Sequence, residues 1–208
     1  MELLHLVATP RTNGSNTLRI SNAVINCLQE KHPGLKVTTI DLFHNELPAM
    51  AGDKIETKYL LIQGGSVKPS AAITWSELEG HILTFMRADI YLISAPMWNF
   101  GIPYALKYYI DSIVQPGYLF KYLPDGTPVG LMRNKKMVVV KTSGSNYAEP
   151  PMSYLDFHEP YLRGIFNFCG INDIHFISAY MMDITPELRE QSIHNAIAEQ
   201  VPRVMAQL

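Results

Sequence analysis

Two stretches of the chain hold the residue types best suited to act together on a ligand. Thr9-Pro10-Arg11-Thr12-Asn13-Gly14-Ser15-Asn16-Thr17 packs four hydroxyls and a glycine into nine residues just ahead of a helical pattern. A helix start offers unpaired backbone N–H groups and the positive end of the dipole, and hydroxyls add neutral donors. The stretch can therefore hold a phosphate monoester, with Ser15, Asn16 and Thr17 facing it and Thr9 closing from the strand end. Neither GxxxxGK[ST] nor GxGxxG is present, and a plain helix cap at Ser15 is the competing account. The second stretch, Ser94-Ala95-Pro96-Met97-Trp98-Asn99-Phe100-Gly101-Ile102-Pro103, sets Met97, Trp98 and Phe100 among two prolines and a glycine. A stiff loop with aromatic faces suits a flat ring system, and the Asn99 and Phe100 amides can point at a ring atom that gains charge. A turn whose aromatics cover the sheet edge is the alternative there.

Other chemistries find less support. Cys27 and Cys169 lie far apart and outside any CxxC, so neither a disulfide scaffold nor a zinc site is indicated, and a reducing compartment fits. Asp156, His158 and Glu159 lack paired-histidine spacing; a solvated helix face is expected and no metal. Ser94 and Ser143 lack the GxSxG elbow of a nucleophile, and His5, inside a strand pattern, is expected to be a hydrogen-bonded sheet residue. The net charge of −2 gives no broad positive field for nucleic acid. The apolar run Leu3–Ala8 has no basic lead and no membrane-spanning length, so a soluble, cytoplasmic protein without membrane attachment is expected. A charged fraction of 17% beside 11 Tyr, 8 Phe and 10 Met hints at a buried subunit interface.

These residues need a scaffold, and the apolar pattern supplies one. Short apolar runs at Leu3–Ala8, Lys36–Asp41, Asp89–Ala95, Lys136–Thr142 and Asp173–Ala179 alternate with helical spacing. The helices are marked by Leu18 to Leu28, by Leu78 to Met86, by Leu106 to Ile113 after Pro103, by about Tyr154–Phe168 and by about Pro186–Ala206, where Pro202 should end or bend the last one. Residues 51–71 read as one long surface excursion. Five strands alternating with five helices predict an α/β fold: one domain over residues 1–208, a three-layer sandwich around a parallel sheet in the flavodoxin-like order 2-1-3-4-5. Ligands then sit beyond the carboxyl ends of the strands, in the loops after strands 1, 3 and 4.

Ala95-Pro96-Met97-Trp98-Asn99-Phe100, followed by Ile102-Pro103 and Leu106-Lys107-Tyr108-Tyr109-Ile110-Asp111, resembles the FMN-dependent NADH-azoreductase family, also described as NADH:quinone oxidoreductases. The resemblance extends over nearly the whole chain, through Gly117-Tyr118-Leu119-Phe120-Lys121-Tyr122, Lys141-Thr142-Ser143-Gly144 and Phe168-Cys169-Gly170-Ile171; only residues 50–72 lack a clear counterpart. It implies that Thr9, Ser15, Asn16 and Thr17 hold the FMN phosphate. It places Pro96, Met97, Trp98, Asn99 and Phe100 along the isoalloxazine, Ser143, Gly144, Ser145 and Asn146 at the flavin edge, and Phe120 at an acceptor pocket. It further implies a homodimer that passes two electrons from NADH or NADPH through FMN to quinone or azo acceptors in a ping-pong sequence, with no side chain required as acid or base. Two departures stand out: Trp98 replaces the usual Tyr, and Gly144-Ser145-Asn146 stands where some members carry Arg-Gly-Gly. A flavodoxin-type electron carrier working with protein partners, and an FAD-dependent NADPH quinone reductase or regulatory subunit, are the alternatives.

Overall fold

The computed structural model describes residues 1–11, 13–47 and 50–208; Thr12, one of the four hydroxyls of the first loop, lies outside them. Five parallel strands, β1 (Glu2–Val7), β2 (Lys36–Asp41), β3 (Ile90–Pro96), β6 (Lys136–Thr142) and β7 (Asp173–Ala179), form one sheet in the order β2-β1-β3-β6-β7. Counted within the sheet, this is the expected 2-1-3-4-5 pattern. Two further strands, β4 (Phe120–Tyr122) and β5 (Pro128–Gly130), pair antiparallel as a separate hairpin that the five-strand reading did not contain.

Side chains alternate across the central strands, so each run of Leu, Ile and Val feeds two cores. Leu3, Ile90, Leu92, Val138 and Val140 pack with Ile20, Val24 and Leu28 of α1 (Asn16–Lys31) and with Val201 and Val204 of the C-terminal helix. On the opposite face Leu4, Leu6, Tyr91, Ile93 and Val139 meet α3 (Ala72–Arg87), α4 (Tyr104–Ile113) and α5 (His158–Cys169) through Phe85, Leu106, Ile110 and Phe166. Among the described residues no helix is long and apolar enough to cross a membrane.

Three sequence expectations need correction. Residues 51–71 are not one irregular excursion: they contain α2 (Asp53–Ile62) and a 3₁₀ turn at Pro69–Ala71. Thr57 is the buried residue of α2, so its apolar stripe is too weak to register as helical periodicity. The last helix does not stop at Pro202, although its regular hydrogen bonding is interrupted just before it. After α6 (Pro186–Asn195), a π turn at Ala196–Gln200 shifts the hydrogen-bond register, and Pro202 falls in the first turn of α7 (Val201–Met205), where its missing N–H costs least. Within that turn, Gln200 pairs both ways with the Ser178 backbone and blunts the edge strand β7.

The third correction concerns the acidic and histidine cluster ahead of α5, which is not a solvated face. His158 is fully buried, with Nε2 3.1 Å from the Ala95 carbonyl oxygen, and Asp156 pairs with the buried Lys141. Among the described residues no cluster of metal-ligating side chains occurs. At its far end α5 closes on Gly170, left-handed at φ 97°, and the end of β5 with the residues after it pass so close that a Cβ there would stand 2.6 Å from the Met132 carbonyl oxygen and 3.2 Å from the Gly130 carbonyl carbon.

A buried polar network ties α1 to the sheet. Ser21 Oγ donates to the Thr17 carbonyl at 3.0 Å and stands 2.6 Å from Ser94 Oγ, which stands 2.7 Å from His5 Nε2. Burial lowers the pKa of His5 from 6.5 to about 4, and burial followed by the nearby Lys141 charge does the same for His158.

Two predictions arise from these contacts. Gly170→Ala should destabilise the chain by about 2–3 kcal/mol or more, since it forces a left-handed alanine against β5; urea melts with an unchanged midpoint would contradict this. Between pH 6.5 and about 4 the unfolded chain binds protons that the folded histidines refuse, so stability falls as pH falls through that window. Each imidazole should cost on the order of 2 kcal/mol at pH 5. Urea midpoints at pH 7.5 and 5 check this, and His5→Asn should remove about half of the difference.

Candidate functional site

The carboxyl ends of β1, β3, β6 and β7 open onto a cleft of about 570 Å³. Thr9, Ser15, Asn16, Thr17, Pro96, Met97, Trp98, Ser143 and Gly144 line it, so nine residues singled out from the sequence meet at one place.

One end is the start of α1. Ser15 is the extended N-cap, and its Oγ accepts from the Leu18 amide at 3.3 Å while its carbonyl accepts from Arg19 at 3.1 Å. That is the first helical hydrogen bond, so the Asn16 and Thr17 amides precede any helical acceptor and open at the positive end of the dipole. Capping by Ser15 leaves these two amides free, so the cap account and the phosphate account of Ser15 are compatible. Thr17 is fixed by its hydroxyl, 2.7 Å from that of Thr142, and the Thr9 hydroxyl accepts from the Arg11 amide at 3.4 Å.

The other end is a tight turn after β3. Trp98 and Gly101 exchange both backbone hydrogen bonds at 2.9 Å, and the two residues between them, Asn99 and Phe100, have φ of 47° and 69°. Positive φ at both central positions is the type I′ arrangement, which favours Asn at the first position and glycine at the second; Asn99 suits it, and Phe100 in the glycine position carries strain on the order of 1 kcal/mol or more. With the strand and the turn closed on themselves, the Asn99 and Phe100 amides have no acceptor among the described residues. The turn is held from outside: Met97 donates to the Thr142 carbonyl at 2.8 Å, and Phe157 donates to the Phe100 carbonyl at 3.0 Å. The Trp98 indole packs against Phe43 (centroids 5.6 Å apart) and Tyr104 (6.2 Å).

The other five sequence-predicted residues do not line this cleft. Asn99 borders an adjoining groove of about 710 Å³, which shares Trp98 and is walled by Tyr104, Tyr108, Phe157 and Tyr161. Phe100 stands partly exposed, edge-on to Tyr147 at 5.8 Å. The Ser145 carbonyl accepts from Ser143 Oγ, and Asn146 Oδ1 accepts from the Ala148 amide, so both shape the turn behind the wall. Phe120 is buried at the base of the hairpin against Phe168 (4.7 Å) and Tyr122 (5.6 Å), not in the cleft.

Sequence reasoning missed Thr142, Met182, Asp183 and Arg189, which also line the cleft. The rule that ligands gather beyond strand ends would have found Met182 and Asp183 had it been extended to the loop after the last strand. Arg189 Nε donates to the Met182 carbonyl at 2.6 Å, and Met182 Sδ lies 3.6 Å from Asn16 Nδ2, which places this guanidinium beside the α1 start. With Arg11 it supplies positive charge at the end where the amides and hydroxyls gather.

Residues 1–201 match a family model described as having a flavodoxin-like fold. An FMN-dependent NADH:quinone oxidoreductase of Ruegeria pomeroyi is 39% identical over 178 residues, spanning 85% of this chain and 87% of that protein. The FMN-dependent NADH:quinone oxidoreductase 3 of Pseudomonas fluorescens is 32% identical over 209 residues, 99% of this chain and 96% of that one. Among solved structures, an azoreductase from Bacillus anthracis str. Sterne superposes with a TM-score of 0.87 at 25% identity, with 99% of each chain covered. The chain belongs to the flavodoxin-like family that includes the FMN-dependent NADH:quinone oxidoreductases.

Proposed function

We propose that this chain is an FMN-dependent oxidoreductase that takes two electrons from NADH or NADPH and gives them to a quinone or azo acceptor, the two substrates using one site in turn. The observation that carries this reading is a single cleft with the open helix start of α1 at one end and, at the other, Met97 and Trp98 leading into a turn whose two central amides have no acceptor among the described residues. Ser15, Asn16, Thr17 and Thr9 hold the phosphate by neutral donors and the helix dipole, and Arg189 adds a charge beside them. Met97, Pro96 and Trp98 offer an apolar edge to the ring, Ser143 and Gly144 close the opposite wall, and the Asn99 and Phe100 amides direct partial positive charge to the ring. Bound FMN supplies the chemistry of accepting a hydride and passing on an electron pair, which none of these side chains provides. No cleft residue has to act as acid or base.

The adjoining groove supports two further parts of the reading. Its walls, Tyr104 at 70% exposed and Phe157 at 58%, are large apolar groups beside Trp98, as a second copy of the chain or an aromatic acceptor requires. A homodimer with the acceptor bound near the groove accounts for them, and residues 1–208 act as one unit within it. A reducing, cytoplasmic setting belongs to the same reading.

Three outcomes follow. The yellow cofactor released from purified protein should have the mass of FMN, and NADH oxidation with a quinone alone should give parallel double-reciprocal lines; an FAD mass, or a need for a partner protein, would favour the alternatives. Arg189→Ala should weaken FMN several-fold in fluorescence titrations and leave riboflavin, which lacks the phosphate, nearly unchanged; equal losses would place Arg189 outside the phosphate site. Asn99→Gly should keep FMN affinity within about twofold because glycine accepts positive φ. Asn99→Pro, which lacks the amide and cannot reach that φ, should lose about tenfold or more.

A further inference from the structure

On the face of β6 that packs against α5, Met137 and Val139 are followed by Lys141, which is as buried as they are at 1% exposure. A lysine in this position gives up the hydration of its ammonium, and exchanging buried ion pairs for apolar groups is often neutral or stabilising. Stability alone does not explain a charge here. Its contacts are specific: Nζ lies 2.6 Å from Asp156 Oδ2 and 3.7 Å from Glu159 Oε2, with the Tyr180 ring centroid at 5.7 Å.

Asp156 divides its carboxylate between two tasks. Oδ2 takes the Lys141 ammonium, while Oδ1 accepts from the His158 amide at 3.0 Å and the Glu159 amide at 3.2 Å, capping the start of α5. The next two residues reach the loop after β3 at both of its ends. His158 Nε2 donates to the Ala95 carbonyl at 3.1 Å, and the Phe157 amide donates to the Phe100 carbonyl at 3.0 Å. Three consecutive residues thus link β6, the entry to the loop and its strained turn. A turn with two non-glycine residues at positive φ persists only where its surroundings over-determine it, and this segment is the outside hold on Phe100.

We propose that Lys141 is a positioning residue for the ring end of the cleft. Paired with Asp156, it fixes the segment Asp156–His158 and through it sets where the Asn99 and Phe100 amides stand. This rests on the flavin reading above, and failure of that reading shows separately, as wild-type protein that does not bind FMN.

The test uses flavin-free protein titrated with FMN and with riboflavin, for wild type, Lys141→Met, Asp156→Asn and the double variant, together with the midpoint potential of each FMN-loaded form. A ring-end defect weakens both flavins by the same factor, about tenfold, the scale of one charge-assisted hydrogen bond. It also moves the potential to more negative values, because the amides stabilise the reduced ring less well. The double variant should bind no more weakly than the weaker single variant, since both act through one pair. Folded Lys141→Met with wild-type affinities and potential would overturn the proposal, as would a loss confined to FMN. Should Lys141→Met fail to fold, Asp156→Asn, which keeps an acceptor for the α5 amides, is judged by the same two readouts.

Discussion

The site depends on a backbone held where side chains resist going. Asn99 and Phe100 take positive φ in succession, and the loop closed at Trp98 and Gly101 leaves their two amides without an acceptor among the described residues. Glycines would relieve the strain but would also leave the turn free to move. The structure instead keeps Asn99 and Phe100 and fastens the turn from β6 through Met97 and from the α5 start through Phe157. Rigidity is the useful property, because fixed amides stabilise developing charge without reorganising when it appears.

The opposite end of the cleft is held by a different kind of contact. Hydroxyls of Thr17, Ser21, Ser94 and Thr142, with His5 beneath them, bind the first two turns of α1 to three strands. The helix start is thereby set at a fixed distance from the turn after β3, although the two are far apart in sequence. Both ends are positioned by buried polar groups on the inner strands, where a low dielectric makes each satisfied contact stiff and each broken one costly.

Much of this was legible in the residues. The inner strands are continuous apolar runs bounded by turn residues, so their number, order and ends could be read directly, and strand ends locate the ligand. Ser15 and Trp98 stood out by composition together with their place after the first and third strands, and both line the cleft. Other features depend on tertiary partners and leave no local trace. The burial of Lys141 and His158 follows from their pairing with Asp156 and Ala95, whereas isolated in sequence they look like surface residues. Arg189 enters the cleft because α6 packs beside α1, a contact no periodicity reports. The hairpin of β4 and β5 was missed because its three-residue strands are too short to show alternation.

The most direct measurement is the amide NMR spectrum of uniformly ¹⁵N-labelled protein during titration with FMN and again after reduction by dithionite. If the turn after β3 presents its amides to the ring, Asn99 and Phe100 move on binding and move further on reduction, while Asn16 and Thr17 respond to binding alone. Spectra in which Asn99 and Phe100 stay in place through both steps would contradict the account.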